Sequence, residues 1–281
     1  MPHIEVGQEN SGPINIHYED HGSGDPVVLI HGFPFSGRAW EKEEIALLNA
    51  GFRVITYDRR GFGESSKPTS GYDYDTFVHD LDIVLDVLLT GAGMKDVVLV
   101  GHSMGTGEVT HYLGTKGSKG IKKGVLISPI PPFLLKTKEN STGVEKSVFD
   151  GIQDAILEDR FAYLTQFNND FFNVDENLGK SVSQDALNAH WNIAALASPE
   201  GTYRCVPAWL TDFRDDLPKL DVPILVIQGD EDRILPYEST GKLLKDKIKD
   251  CKLVTIEGGP HGIPWTHADT IDRELIQFIK A

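Results

Sequence analysis

A valine-rich run that ends abruptly in a glycine-flanked serine constrains this chain more than any other feature. Val97-Val98-Leu99-Val100 is apolar throughout, as a short buried strand is, and Gly101-His102-Ser103-Met104-Gly105 follows at once. G-x-S-x-G directly after a strand and before helix-forming residues predicts a sharp strand-to-helix turn that lifts the serine clear of the sheet. Glycine is needed on both sides because Cβ atoms would collide there. The hydroxyl then stands at a helix N-terminus, where free backbone N–H groups favour developing negative charge. Alone, the pattern also fits a glycine-rich turn with a capping serine, so the rest of the chain decides between the two.

Strand and helix patterns alternate around it. Ile14 to Tyr18 alternates apolar and polar residues, which suits an edge strand with one wet face, whereas Val27-Val28-Leu29-Ile30 is apolar on both faces. The second run ends in His31-Gly32-Phe33-Pro34. A glycine just beyond a central strand lets the backbone turn toward the serine loop, so the N–H groups of Phe33 and Met104 are candidate donors to an oxyanion. Trp40 to Ala50 predicts a helix ended by Gly51, Phe52 to Tyr57 a strand, and Asp58 to Ser65 a charged, glycine-punctuated loop. Phe77, Leu81, Val84, Leu85 and Leu88 then mark one stripe of a helix. Such alternation points to a parallel sheet covered on both faces.

After a strand at Gly124 to Ile127 the character changes. Residues 131–213 read as a helical cap, with aromatics such as Phe149, Phe161, Phe167, Phe171 and Phe172 but no strand pattern. Each phenylalanine by itself reads as core packing, and together they suit the wall of an apolar pocket. The core domain is then formed by 1–130 and 214–281. Val222 to Gln228 and Leu253 to Ile256 resume the sheet, and Ile271, Leu275, Ile276 and Ile279 mark a closing amphipathic helix.

Composition narrows the partners. Twenty-seven basic against 42 acidic residues leave a net charge of −15, which repels nucleic acid and anionic membrane. The two cysteines, Cys205 and Cys251, are far apart and outside metal-ligand spacing, so neither a zinc site nor a disulfide framework is expected. Met1 to Glu5 carries no basic stretch leading into an apolar run, and nothing approaches a membrane span, so the expected location is the cytoplasm.

A serine hydroxyl needs a base to take its proton and a third group to orient that base. His261, in Gly259-Pro260-His261-Gly262, and Asp232, in Gly229-Asp230-Glu231-Asp232, both sit just beyond the carboxyl ends of predicted strands. Open α/β sheets place their sites along that edge. With Ser103 they give the chain order Ser, Asp, His of the α/β-hydrolase arrangement. Asp230 is the alternative acid and reads better as a turn-former. His31 and His102 adjoin the motifs and read as structural, the elbow turning His102 away, and His267 falls in the final helix. No metal or organic cofactor is called for.

Beyond these three positions, the blocks His31-Gly32-Phe33-Pro34, Tyr57 to Gly63, Gly101 to Glu108, Asn169-Asp170-Phe171-Phe172-Asn173, Thr211 to Arg214 and Pro260-His261-Gly262 closely resemble the bacterial cofactor-free haloperoxidases, also called non-haem chloroperoxidases and bromoperoxidases. The resemblance implies an α/β-hydrolase fold with a mostly parallel eight-stranded sheet, flanking helices and an inserted helical cap. It implies Ser103, Asp232 and His261 as the triad, and no haem, vanadium or other metal. It further implies an esterase that also acts as a perhydrolase, taking small esters, carboxylic acids, hydrogen peroxide and halide, and commonly a homo-oligomer. Phe33 departs from the pattern, many relatives carrying Trp there, which alters the pocket wall and bears on perhydrolysis more than on ester hydrolysis. The same triad also serves lactonases, lactamases and carbon–carbon bond hydrolases, and a receptor that has lost turnover would keep the pocket.

Overall fold

A computed structural model describes residues 2–89 and 95–281 of the chain. Strands β1 (His3–Glu9), β2 (Gly12–Gly22), β3 (Pro26–Ile30), β4 (Arg53–Tyr57), β5 (Val97–His102), β6 (Ile121–Ile127), β7 (Ile224–Gly229) and β8 (Cys251–Ile256) form one sheet in the order β1-β2-β4-β3-β5-β6-β7-β8. β2 runs antiparallel to both of its neighbours, and every pairing from β4 to β8 is parallel. The expected edge strand over Ile14–Tyr18 is in fact the interior strand β2, and the edge is β1. Face alternation reports which side of a strand is wet. It does not report whether a second strand hydrogen-bonds alongside, and here β1 returns through a tight turn at Asn10, φ 53°, to pair with β2.

Period-two alternation sorts the central strands between two cores. Val28, Ile30, Leu99, Leu126 and Val226 face α2 (Tyr74–Leu89) and α3 (Met104–Thr115), whose Leu81, Val84, Leu85, Val109 and Leu113 complete that layer. Val27, Leu29, Val98, Val100, Leu225 and Ile227 face the other way, against the Leu47 side of α1 (Glu41–Asn49) and the C-terminal helix. The predicted start of α1 at Trp40 is instead a short 3₁₀ turn over Gly37–Trp40. Each fully buried Val, Leu or Ile contributes about 1.5–3 kcal/mol, which is why the six-residue β5 tolerates no polar residue before its final His102.

Four helices stand between β6 and β7: α4 (Lys146–Phe172), α5 (Val174–Asn177), α6 (Gln184–Ala195) and α7 (Pro199–Ala208). α4 breaks at Asp159 (φ −153°, ψ 93°), whose carboxylate accepts from Phe161 N–H and Ala162 N–H and so caps its second half. Phe149, Phe167, Phe171 and Phe172 of α4 join Phe33, Met104, Ile130 and Leu235, which follow the carboxyl ends of β3, β5, β6 and β7, in a third core. The helical layer therefore sits over the strand ends. Among the described residues, no helix is long and apolar enough to cross a membrane. After β7 come α8 (Gly241–Lys247), α9 (Ile263–Thr266) and α10 (Ala268–Lys280). His267 stands between the last two rather than inside the final helix, because Pro264 opens the short α9 and the chain turns again at His267, φ −128°.

α1 packs against α10, and Glu43 is buried between them with neither carboxylate oxygen hydrogen-bonded. Burial, with Asp272 nearby, holds its carboxyl well above the usual range, and burial together with Asp269 pushes Asp272 up to about 6. A carboxyl that keeps its proton in the fold and loses it readily when unfolded stabilises least at high pH. Stability should therefore fall as pH rises from the ordinary carboxylate range through about 6. Glu43→Leu is expected to raise stability by about 1–3 kcal/mol at pH 8 and by less at pH 4, which denaturant melts at the two pH values will check.

Candidate active site

β5 delivers its chain into the predicted elbow. Ser103 has φ 53° and ψ −121°, a conformation non-glycine residues avoid, and it leads straight into α3. A Cβ on Gly101 would sit 2.4 Å from the Gly105 carbonyl oxygen, and one on Gly105 would sit 2.2 Å from that of Ile30. Ser103 N–H donates to the Ile127 carbonyl at 2.9 Å, tying the turn to the end of β6.

The loops after β7 and β8 bring the other two predicted residues together. Asp232 Oδ2 accepts from His261 Nδ1 at 2.8 Å, with both side chains fully buried. The carboxylate is itself held by the N–H groups of Ile234 and Leu235, at 3.0 and 2.8 Å, and by Gln228 Nε2 at 3.2 Å. A donor on Nδ1 leaves His261 Nε2 as the imidazole acceptor, and this atom is buried with no hydrogen-bond partner. Asp230 is turned elsewhere, accepting from Gly258 N–H at 2.7 Å in the loop after β8. The cap grips both loops. Gly262 N–H donates to the Phe171 carbonyl at 2.8 Å, Asn173 Nδ2 donates to the Glu231 carbonyl at 2.9 Å, and the Phe171 ring stands edge-on to His261 at 5.2 Å.

Opposite Ser103, the loop after β3 offers the Phe33 N–H, while α3 offers that of Met104. Neither is taken by an acceptor among the described residues. Gly32 allows the approach, since a Cβ there would lie 2.9 Å from that of Ser103. A buried network fixes the loop to the helix. Glu108 of α3 accepts from the Tyr57 hydroxyl and from Arg59 Nε. Arg59 Nη2 donates to the His31 carbonyl at 2.8 Å, and Arg59 N–H to His31 Nε2 at 2.9 Å. His31 donates its Nδ1–H to the Gly32 carbonyl at 2.8 Å, and burial beside Arg59 holds its pKa well below the ordinary value, so the ring stays neutral. Asp58, Arg59 and Arg60, read from sequence as part of a charged, glycine-punctuated loop, are all buried.

Ser103 opens onto a cavity of about 340 Å³ walled by Phe33, Ile130, Leu134, Phe149, Ile152, Phe167 and Trp209. Phe33 presses edge-on against Trp209 at 4.7 Å and Phe167 at 5.7 Å. The polar groups at the rim are tied to one another. Gln166 Nε2 donates to Asp170 at 2.9 Å, and Arg233 donates to Asp175 and Glu176, both at 2.6 Å. Metal-ligand chemistry gathers at Glu19, His21 and Glu44, whose ligand atoms lie within 4.8 Å of one another. Because His21 pairs with Val54 near the start of β4, that group is at the opposite end of the sheet from Ser103.

Two contacts escaped the sequence reading. His102 is not turned away from the site's machinery: its ring is 5.1 Å from that of His261, and its Nε2–H donates to the His261 carbonyl at 3.1 Å. Ser128 Oγ donates to the same carbonyl at 3.1 Å. A histidine beside the elbow serine was a signal, but its partner is 159 residues away.

An elbow serine above a mostly parallel sheet, with a hydrogen-bonded Asp–His pair on later strand-end loops and helices over the opening, defines the α/β-hydrolase class. Comparison with known proteins agrees, the alpha/beta hydrolase fold family matching residues 25–268. A Synechocystis sp. protein named "Putative non-heme chloroperoxidase" is 59% identical over all of both chains. A bifunctional esterase/perhydrolase of Acinetobacter calcoaceticus is 34% identical over 95% of this chain and 97% of its own. The crystal structure of a bromoperoxidase from Bacillus anthracis superposes with a TM-score of 0.94 at 44% identity, covering 100% of this chain and 99% of that one. The chain belongs to the alpha/beta hydrolase fold family, among the non-heme haloperoxidases.

Proposed function

We propose that the chain is a serine esterase that also catalyses perhydrolysis, with Ser103 as nucleophile, His261 as base and Asp232 as the group that orients the base. The observation that carries this is the buried 2.8 Å bond from His261 Nδ1 to Asp232, which leaves the unpartnered Nε2 as the acceptor for a proton. Ser103 Oγ attacks the acyl carbon and passes its proton to His261 Nε2. The N–H groups of Phe33 and Met104 donate to the oxyanion, each worth about 3–4 kcal/mol when removed in comparable sites. His261 returns the proton to the departing alcohol, leaving the acyl group on Ser103. Water then attacks to release a carboxylic acid, or hydrogen peroxide attacks to release a peracid that oxidises halide away from the protein.

The esterase/perhydrolase and the haloperoxidases among the relatives support this choice of acceptors. Residues 131–213 act in this reading as the cap that shapes the pocket. The enzyme works on small molecules in the cytoplasm and without a metal, and the family resemblance carries the expectation of a homo-oligomer, which light scattering will check. The native protein is expected to label with a fluorophosphonate, to hydrolyse aryl esters, and to brominate an acceptor dye when acetate, peroxide and bromide are all present. Absence of labelling would remove the serine mechanism, whereas ester hydrolysis without bromination would remove only perhydrolysis.

The apolar wall favours uncharged acyl groups longer than acetyl. Phe33→Trp places a larger ring in that wall while keeping the backbone donor. It is expected to lower kcat/KM on p-nitrophenyl octanoate about 10–100-fold relative to the acetate ester, which a chain-length series will measure.

A further inference from the structure

Asp232 secures one end of the His261 imidazole, but an imidazole aims only as well as the backbone from which it hangs. That backbone is held from two separate strands. His102, the last residue of β5, donates Nε2–H to the His261 carbonyl at 3.1 Å, and Ser128, just past β6, donates its hydroxyl to the same oxygen at 3.1 Å. Both donors are buried, and Ser128 adopts φ 46°, a conformation that costs a non-glycine residue energy and persists only where surroundings impose it. The His102 ring is wedged edge-on between Trp40 and Phe171, at 6.1 and 5.7 Å, so its donor has little freedom to swing.

We infer that His102 and Ser128 are positioning residues, a two-point clamp on the His261 carbonyl that sets the direction of Nε2 toward Ser103. The clamp rests on the triad reading above. Because a carbonyl only accepts, His102 must carry its proton on Nε2. Burial pushes its pKa down to about 3, so this donor stays neutral, and in that tautomer, throughout the range in which hydrolysis is measured. The neutral ring thus serves the site without competing for the Ser103 proton. Loss of one donor loosens the carbonyl side of a peptide whose Gly262 N–H stays tied to the Phe171 carbonyl, and misplacement of a catalytic group by about 1 Å can cost on the order of 100-fold in rate.

Four variants test the clamp on p-nitrophenyl acetate: His102→Phe keeps a ring and loses the donor, His102→Gln keeps a donor of similar reach, Ser128→Ala removes the second donor, and Ser103→Ala is the control. His102→Phe is expected to lower kcat about 10–100-fold with KM within about twofold, His102→Gln to recover most of that loss, and Ser128→Ala to lose about three- to tenfold in kcat. Circular dichroism and melting temperature accompany each measurement. A folded His102→Phe with wild-type kcat overturns the clamp, and so does a Gln variant as impaired as Phe, since ring packing would then be the cause. Should His102→Phe fail to fold, Ser128→Ala decides, and an unchanged kcat there overturns the proposal. Hydrolysis retained by Ser103→Ala would instead overturn the triad reading itself, whatever the His102 variants do.

Discussion

Ser103→Ala is expected to lower kcat for aryl ester hydrolysis by about 10⁴- to 10⁶-fold with KM little changed, and to abolish fluorophosphonate labelling. The loss is large because alanine has no hydroxyl with which to form the acyl-enzyme. The Phe33 and Met104 donors stay where they are, so a residual rate above that in water should persist, as in other sites stripped of their nucleophile. Alanine cannot relieve the backbone, because the φ of 53° and ψ of −121° at this position disfavour any side chain. Ser103→Gly should therefore be more stable than Ser103→Ala by about 1–3 kcal/mol while equally inactive. Comparing the two separates what the hydroxyl does for chemistry from what the elbow costs the fold. Ester hydrolysis retained in either variant would assign the nucleophile to another residue.

The second large effect is expected at Glu108. Its carboxylate is fully buried against Arg59, and Tyr57 donates to its other oxygen. Burial pushes the Glu108 carboxyl above its usual range even though Arg59 and the two hydrogen bonds pull the other way. Removing one partner of such a pair leaves the other charge stranded in the core. Glu108→Gln is expected to cost about 3–5 kcal/mol, a fall in melting temperature on the order of ten degrees for a chain of this size. The double variant Glu108→Leu with Arg59→Met should regain much of the stability, since apolar replacements of a whole buried pair are often neutral. It should not regain activity, because Arg59 also anchors the His31 carbonyl next to the Gly32–Phe33 turn, whose Phe33 N–H is the proposed oxyanion donor. Calorimetry and ester hydrolysis on both variants will show whether stability and turnover part in this way.

Legibility in the sequence followed physical locality. The strands ending at Ile30, His102, Ile127, Gly229 and Ile256 announce themselves by apolar runs cut off by glycine, serine or charged residues, and both signals are contained within a few neighbours. The elbow is visible for the same reason, since its glycines are required by atoms three or four residues away or by the strand next door. The Tyr57-Arg59-Glu108 network was not visible. Arg59 and Glu108 are 49 residues apart, and nothing in a charged, glycine-punctuated loop names a buried partner that far along the chain. The edge strand β1 was missed because its pairing, not its composition, makes it a strand, and the contact of His102 with the backbone of His261 was missed because the elbow alone says nothing of what packs behind it.

By itself, the sequence determined which residues leave the sheet at one rim and in what order, because strand periodicity and glycine placement are properties of short segments. The sequence already favoured Asp232 over Asp230, and the tertiary structure brings Asp232 to His261; the tertiary structure alone decided that His102 packs behind His261 and that the charged residues after β4 are buried. Each of these depends on directions taken by loops far apart along the chain. Such directions are set by how the packed layers bring strand ends together, a quantity no local pattern of residues contains.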